Sequence, residues 1–182
     1  MSDYPKLTTK RLTLGKIQIS DIPKIVEYAG DKRVAEPTLN IPHPYQEKDA
    51  IWWINMANQG FENKSQFTFG VRLKSTNEFI GGIGIKIIPD LDMASLGYWI
   101  AVPFWNKGYA SEAAAAILNF GFNELALNKI YAVHLIENPA SGKVMAKNGM
   151  IKEGELKDHN KKDGKYRSII QYRLTKSEYV QL

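Results

Sequence analysis

A chain of 182 residues with 44% apolar and 24% charged side chains can bury a substantial core, and this composition excludes a disordered or fibrous protein. The absence of cysteine rules out disulfides and thiolate zinc sites, and His43, His134 and His159 lie scattered without ligand spacing, so no metal is expected. The opening residues lack the apolar core of a signal peptide and no apolar run approaches the roughly 18 residues that span a bilayer, so the reading is one cytoplasmic domain over 1–182 with no membrane partner.

In chain order, Arg11 to Ile19 reads as a first strand with Leu12, Leu14, Ile17 and Ile19 apolar. Ser20 and Asp21 supply a helix start, and Pro23 is tolerated in its first turn. Pro37, Pro42 and Pro44 make 36–45 a loop, followed by a helix over Gln46 to Asn58. Gln66 to Leu73, Glu78 to Ile88 and Ala94 to Val102 read as three sequential antiparallel strands joined by short turns. The run Gly81-Gly82-Ile83-Gly84 sits inside a strand with no helix behind it, so a bulge or close backbone approach is favoured over a dinucleotide fingerprint.

A long helix over Tyr109 to Leu125, a strand over Lys129 to Glu137 and a short helix over Ala140 to Lys147 come next, the last stopped by Asn148-Gly149. Strands near Met150 to Leu156 and Tyr166 to Leu174 close the chain, separated by the basic stretch 157–167. Much of the net charge of +5 sits in that stretch, which reads as a solvated loop in preference to a nucleic-acid footprint. The order implies a mixed α/β (α+β) sheet, not a doubly wound one.

The segment Trp105 to Ala115, WNKGYASEAAA, carries the strongest functional signal. A strand leading through a glycine-bearing turn into a strong helix former aims unpaired backbone N–H groups, and the positive end of a helix dipole, at a phosphate. No GxxxxGK run is present, which disfavours nucleotide hydrolysis.

With Thr9-Lys10-Arg11-Leu12, Gly97-Tyr98-Trp99-Ile100, Trp105 to Ala113 and Asn138-Pro139-Ala140-Ser141 in view, the chain resembles the GNAT superfamily of acyl-CoA-dependent N-acyltransferases, and within it the RimJ/RimL-type branch of ribosomal-protein N-terminal acetyltransferases. That resemblance implies a mostly antiparallel sheet of about seven strands, splayed between the fourth and fifth, with about four flanking helices. It implies acetyl-CoA as co-substrate, with its diphosphate on the turn Asn106, Lys107, Gly108, Tyr109, Ala110 and Ser111. The pantetheine arm is expected along Ile100, Ala101 and Val102, with Asn138, Ser141 and Lys147 completing the cofactor contacts. The superfamily pattern starts the turn with Gln or Arg where this chain has Trp105.

Amide formation from a thioester needs a neutral amine, a donor for the oxyanion and a proton for the departing thiolate, and none of these requires cysteine. The resemblance implies a main-chain N–H near Ile100 to Val102 as the oxyanion donor and Ser141 as the proton donor, although a serine at a helix start is also a cap. Many relatives carry a glutamate two residues before Gly-Tyr-Trp, where this chain has Ser95, which leaves Glu36 and Glu137 as candidate bases acting through water. Trp52, Trp53, Phe61, Tyr98 and Trp99 are core or acceptor-pocket candidates. The expected acceptor is a protein N-terminus or another primary amine. A small-molecule amine acceptor and a noncatalytic acyl-CoA sensor stand as alternatives. Dimers are common among similar proteins, which leaves a homodimer as one expected state.

Overall fold

The computed structural model describes residues 3–181. Eight strands form one sheet in the order β1-β2-β3-β4-β5-β6-β8-β7: β1 Leu7–Thr8, β2 Leu12–Gly15, β3 Gln66–Leu73, β4 Phe79–Ile88, β5 Met93–Ile100, β6 Lys129–Leu135, β7 Ile151–Lys162 and β8 Lys165–Thr175. Every neighbouring pair is antiparallel except β5 with β6, which run parallel. Six helices flank it: α1 Ile22–Ala29, α2 Lys32–Ala35, α3 Glu47–Glu62, α4 Tyr109–Asn119, α5 Pro139–Lys147 and α6 Lys176–Tyr179. None of the described helices is long and apolar enough to cross a membrane. The two-residue β1 raises the strand count to eight, so the expected splay falls between β5 and β6.

The period-two pattern of each strand sorts side chains onto two faces. Leu96, Ile100, Ile83, Ile85, Phe67 and Phe69 pack on one side with Ala113, Ala114, Ile117 and Met145 of α4 and α5. Phe79 and Trp99 face the other side, against Ile25 and Tyr28 of α1 and Ala50, Trp53, Ile54 and Ala57 of α3. Small residues at Ala113 and Ala114 let α4 lie close to the sheet. An ion pair between Asp21 and Arg72, both little exposed, fastens the start of α1 to β3, and the same carboxylate accepts from the Gln18 N–H at 2.7 Å.

The Gly81-Gly82-Ile83-Gly84 run is a place of close approach, as expected. Val71 and Arg72 face Gly81 and Phe79, so Ile80 is an extra residue bulged out of β4. A Cβ on Gly81 would lie 2.3 Å from the Trp99 carbonyl oxygen, and one on Gly82 would lie 2.5 Å from the Trp53 ring.

Three expectations are corrected. The first strand ends at Gly15, and Ile19 is not core but 78% exposed in a short 3-10 turn before α1. The stretch 157–167 is not a loop but the outer part of a long hairpin: Asp163 and Gly164 both take positive φ, 50° and 76°, in a two-residue turn that lets β7 and β8 pair to their tips. The long helix does not run α-helical to Leu125. Its last turn widens into a π-helical turn at Phe120–Glu124, where Gly121 sits so close to Ile130 that a Cβ would lie 2.5 Å from its Cδ1.

Candidate active site

β5 and β6 pair from Met93↔Lys129 only as far as Leu96↔Ala132, while β5 continues to Ile100 and β6 to Leu135. Beyond that point the strands part and leave a wedge. The Ala101 N–H donates to the Ile80 carbonyl at 2.8 Å, toward β4. By the alternation of an antiparallel ladder, Tyr98 and Ile100 therefore turn their main-chain groups into the wedge. The edge open to an extended ligand thus includes Tyr98 and Ile100, the latter being the first of the expected residues Ile100 to Val102. Ala101 is committed to β4, and Val102 starts a 3-10 turn whose carbonyl accepts from the Trp105 N–H at 3.1 Å.

Trp105 has a role that the sequence left blank. Its indole Nε1–H donates to the Ile100 carbonyl at 2.6 Å, which ties the end of β5 to the following turn. The Ile100 N–H is left as that residue's group facing the wedge.

That turn is a cradle. Asn106 takes φ 59° and Gly108 φ 78°, and Gly108 is the N-cap of α4. The first amide paired to the helix is that of Glu112, which donates to the Gly108 carbonyl at 3.1 Å. Among the described residues, the amides from Asn106 to Ser111 have no protein acceptor. They border a cavity of about 540 Å³ lined by Asn106, Lys107, Gly108, Ser111, Arg11 and Lys147, among others. This volume falls in the range of small-molecule sites. Lys147, from the last turn of α5, lines the same cavity as the α4 N-terminus.

Arg11 and Glu112 also line this cavity, and the sequence reading did not single them out as site residues. Arg11 Nε reaches Glu112 Oε2 at 2.6 Å, its Nη1 donates to the Lys107 carbonyl at 2.8 Å, and its guanidinium lies 4.6 Å from the centre of the Tyr109 ring. Glu112 also accepts from the Arg11 N–H at 2.7 Å and from Thr9 Oγ1 at 2.6 Å. Burial raises the Glu112 carboxyl, but these hydrogen bonds outweigh it and hold the group below the usual carboxylate range. The pair engages the Lys107 carbonyl and ties down Glu112, the one carboxylate in the first turn of α4. The available signal was Thr9-Lys10-Arg11-Leu12 and the Glu of ASEA, about a hundred residues apart.

On the opposite wall of the wedge stands α5. Asn138, and not Ser141, is its N-cap: Asn138 Oδ1 accepts from the Ser141 N–H at 3.3 Å, while its Nδ2 donates to the Pro37 carbonyl at 3.1 Å. Ser141, freed from capping, is hydrogen-bonded to the Tyr98 phenol, with the two hydroxyl oxygens 2.8 Å apart. Burial pushes the Tyr98 phenol up to about 12, with its bond to Ser141 pulling the other way.

Both candidate bases are largely exposed and ion-paired. Glu36 is 65% exposed and pairs with Lys32 at 3.3 Å, and Glu137 is 57% exposed and pairs with Arg167 at 3.1 Å. Of the aromatic candidates, Trp53 and Trp99 pack together with centroids 6.0 Å apart, and Phe61 joins Tyr4 and Phe67 in the other cluster. Trp52 is largely exposed.

The second face of the sheet is open beside the wedge. Gly97, exposed in the middle of β5, would meet nothing within 4 Å if it carried a Cβ. The 36–45 loop is held at Pro37 by Asn138. It is held again by Lys162 of the hairpin, whose ammonium donates to the carbonyls of Ala35, Thr38 and Ile41 at 2.6, 2.5 and 3.1 Å. Burial lowers the Lys162 pKa from its ordinary value.

Residues 11–151 match the acetyltransferase (GNAT) domain family. The chain is 34% identical over 180 residues to the uncharacterized N-acetyltransferase p20 of Bacillus licheniformis, covering 96% of this chain and 98% of that protein. It is 27% identical over 189 residues to the ribosomal protein uS5-alanine N-acetyltransferase of Escherichia coli, covering 98% and 96%. Among solved structures, RimJ of Mycobacterium smegmatis in complex with CoA-disulfide superposes with a TM-score of 0.83 at 22% identity, covering 96% of this chain and 88% of that one. The chain belongs to the GNAT acetyltransferases and is an acetyl-CoA-dependent enzyme of that family.

Proposed function

We propose that the chain transfers the acetyl group of acetyl-CoA directly to the α-amino group of a protein or peptide, in a ternary complex within the cytoplasm. The observation that carries this reading is the wedge, with unpaired amides at one end and the Ser141 hydroxyl on the wall opposite the free edge of β5. The diphosphate of CoA would rest on Asn106 to Ser111, with Lys147 nearby and the arm along Tyr98 to Ile100. The amine nitrogen attacks the thioester carbonyl, a main-chain N–H of the β5 edge steadies the oxyanion, and the C–S bond breaks with its electron pair on sulfur. Ser141 gives the sulfur its proton. The proton released by the nitrogen returns to Ser141 through water.

With Glu36 and Glu137 both ion-paired at the surface, the acceptor must arrive neutral. That favours an α-amine, with a pKa of ~7.7 to 8.0, over a lysine near ~10.4. The hairpin carries Lys157, Lys161, Lys165 and Arg167 and reaches the 36–45 loop through Lys162, and a basic rim beside the acceptor would disfavour a polyamine.

The test is thiol release from acetyl-CoA with peptides, free amino acids and polyamines as acceptors. At pH 7, an α-amine should react about 300-fold faster than an otherwise matched lysine amine, the ratio of their neutral fractions. Ser141→Ala should slow transfer roughly 100- to 10,000-fold. Tight CoA binding with no release from any acceptor would instead identify a noncatalytic sensor.

A further inference from the structure

Tyr98 lies two residues past the last β5–β6 pair, on the side of β5 that faces α4 and α5. Its side chain crosses beneath the opening of the wedge and ends on α5. The phenol oxygen is 2.9 Å from the Ser141 carbonyl and 2.8 Å from Ser141 Oγ. A phenol has one proton to donate, so two arrangements fit these distances. In one, Tyr98 donates to the carbonyl and accepts the serine proton. In the other, Tyr98 donates to Oγ and the serine proton is free to point elsewhere. They interconvert by turning two hydroxyl hydrogens, with no heavy atom moved.

Resting on the reading that Ser141 protonates the leaving sulfur, we infer that Tyr98 is the positioning residue for that step: it holds Ser141 Oγ at the wedge and donates a hydrogen bond to that oxygen as its proton departs. The balance is complete without a further reactant. The C–S bond of the tetrahedral adduct breaks, sulfur takes the proton of Ser141 Oγ, and the proton shed by the attacking nitrogen restores the serine through water. Tyr98 keeps its own proton throughout. A phenol pushed up to about 12 by burial suits a permanent donor and not a proton source. Two further features fix the arrangement. Asn138 Oδ1 accepts from the Ser141 N–H at 3.3 Å, setting the serine in the first turn of α5, and Pro139 stiffens the entry to that turn.

The experiment is a double-mutant cycle on Tyr98→Phe and Ser141→Ala. Tyr98→Phe keeps the ring in its apolar packing and removes only the hydroxyl. It should lower kcat by roughly 10- to 100-fold, the effect of one hydrogen bond to a developing charge. The KM for acetyl-CoA and the calorimetric affinity for CoA should stay within about twofold. In the Ser141→Ala background, Tyr98→Phe should cause no further loss, because its effect passes through the serine. Additive losses, a weakened CoA affinity that accounts for the whole effect, or an unchanged kcat in Tyr98→Phe would each overturn the inference. If Ser141→Ala alone turned over at the normal rate, the proton-donor reading itself would fall, an outcome the same cycle separates from failure of Tyr98 alone.

Discussion

Gly108→Ala is the sharpest probe of the cradle. At φ 78° an alanine suffers the left-handed penalty of about 1–2 kcal/mol, partly offset by the ~0.4–1 kcal/mol that a less flexible unfolded chain returns. The new Cβ would also lie 3.3 Å from Arg11 Nη2, and that guanidinium is pinned by Glu112 and the Lys107 carbonyl, so it yields only slightly. The net cost is about 1 kcal/mol, a fall of about 2–4 °C in Tm for a chain of this size. The effect on CoA is larger, because the methyl stands in the cavity that the amides border. Losing one amide–phosphate bond, worth ~1.5–3 kcal/mol, weakens binding roughly 10- to 100-fold. Calorimetry with CoA and with pantetheine, which lacks the diphosphate, separates the two effects. CoA affinity should drop while any pantetheine binding stays put. Unchanged CoA affinity, or equal losses for both ligands, would refute the assignment of this turn to the diphosphate.

Glu112→Gln should weaken the strap between the N-terminal strands and α4. Since the carboxyl is held below its ordinary value, its stabilising contribution is present above the unfolded-state pKa of ~4.3 and is lost as pH falls through the lower folded-state value. Urea unfolding of the two proteins should therefore differ at pH 7 and converge at the acid end. Lys162→Met removes the donor shared by three carbonyls, so amide exchange in 35–42 should quicken and the acceptor KM should rise, with CoA affinity unaltered. Gly97→Ala should fold normally, since nothing lies within 4 Å of the added Cβ. Gly97→Leu should raise the acceptor KM while sparing the affinity for CoA.

The parts of this molecule that were legible in its sequence are those fixed by neighbours in the chain. Gln66 to Leu73 repeats its apolar side chains every second residue and is a strand over just those residues. Asn148-Gly149 ends α5 with Gly149 at φ 76°, as a left-handed C-terminal signal should. The glycine turn before α4 is legible for the same reason, because free amides at a helix start are a local property. Asp163-Gly164 was legible too, but the surrounding lysines and aspartates masked a hairpin whose outer strands lack an apolar face. Distant partnerships left no such trace. Thr9 and Arg11 meet Glu112, Lys162 meets the carbonyls of 35–41, and Tyr98 meets Ser141 only once the sheet is assembled. The same holds for Glu137, which meets Arg167 thirty residues on, whereas the Lys32–Glu36 pair is a local i,i+4 contact.

The parity of β5 ties these pieces into one device. Leu96, Tyr98 and Ile100 turn toward α4 and α5, so the residue that touches Ser141 belongs to the core-facing set. Ser95, Gly97 and Trp99 turn the other way, Trp99 packing with α1 and α3 and Gly97 lying exposed. One strand thus presents a buried phenol to the side where the thiolate would leave and a bare backbone to the side where the amine would enter, with its unpaired edge between them. A slip of one residue would exchange the two sets. Tyr98 would then project into the acceptor space and Gly97 would face α5, leaving Ser141 without its partner. The bulge at Ile80 and the glycines of β4 hold that register, because only side-chain-free positions at Gly81 and Gly82 admit the Trp99 carbonyl and the Trp53 ring at 2.3 and 2.5 Å from where a Cβ would stand. The run that superficially resembles a nucleotide-binding fingerprint therefore acts through packing, by fixing which face of the neighbouring strand Gly97 and Tyr98 occupy.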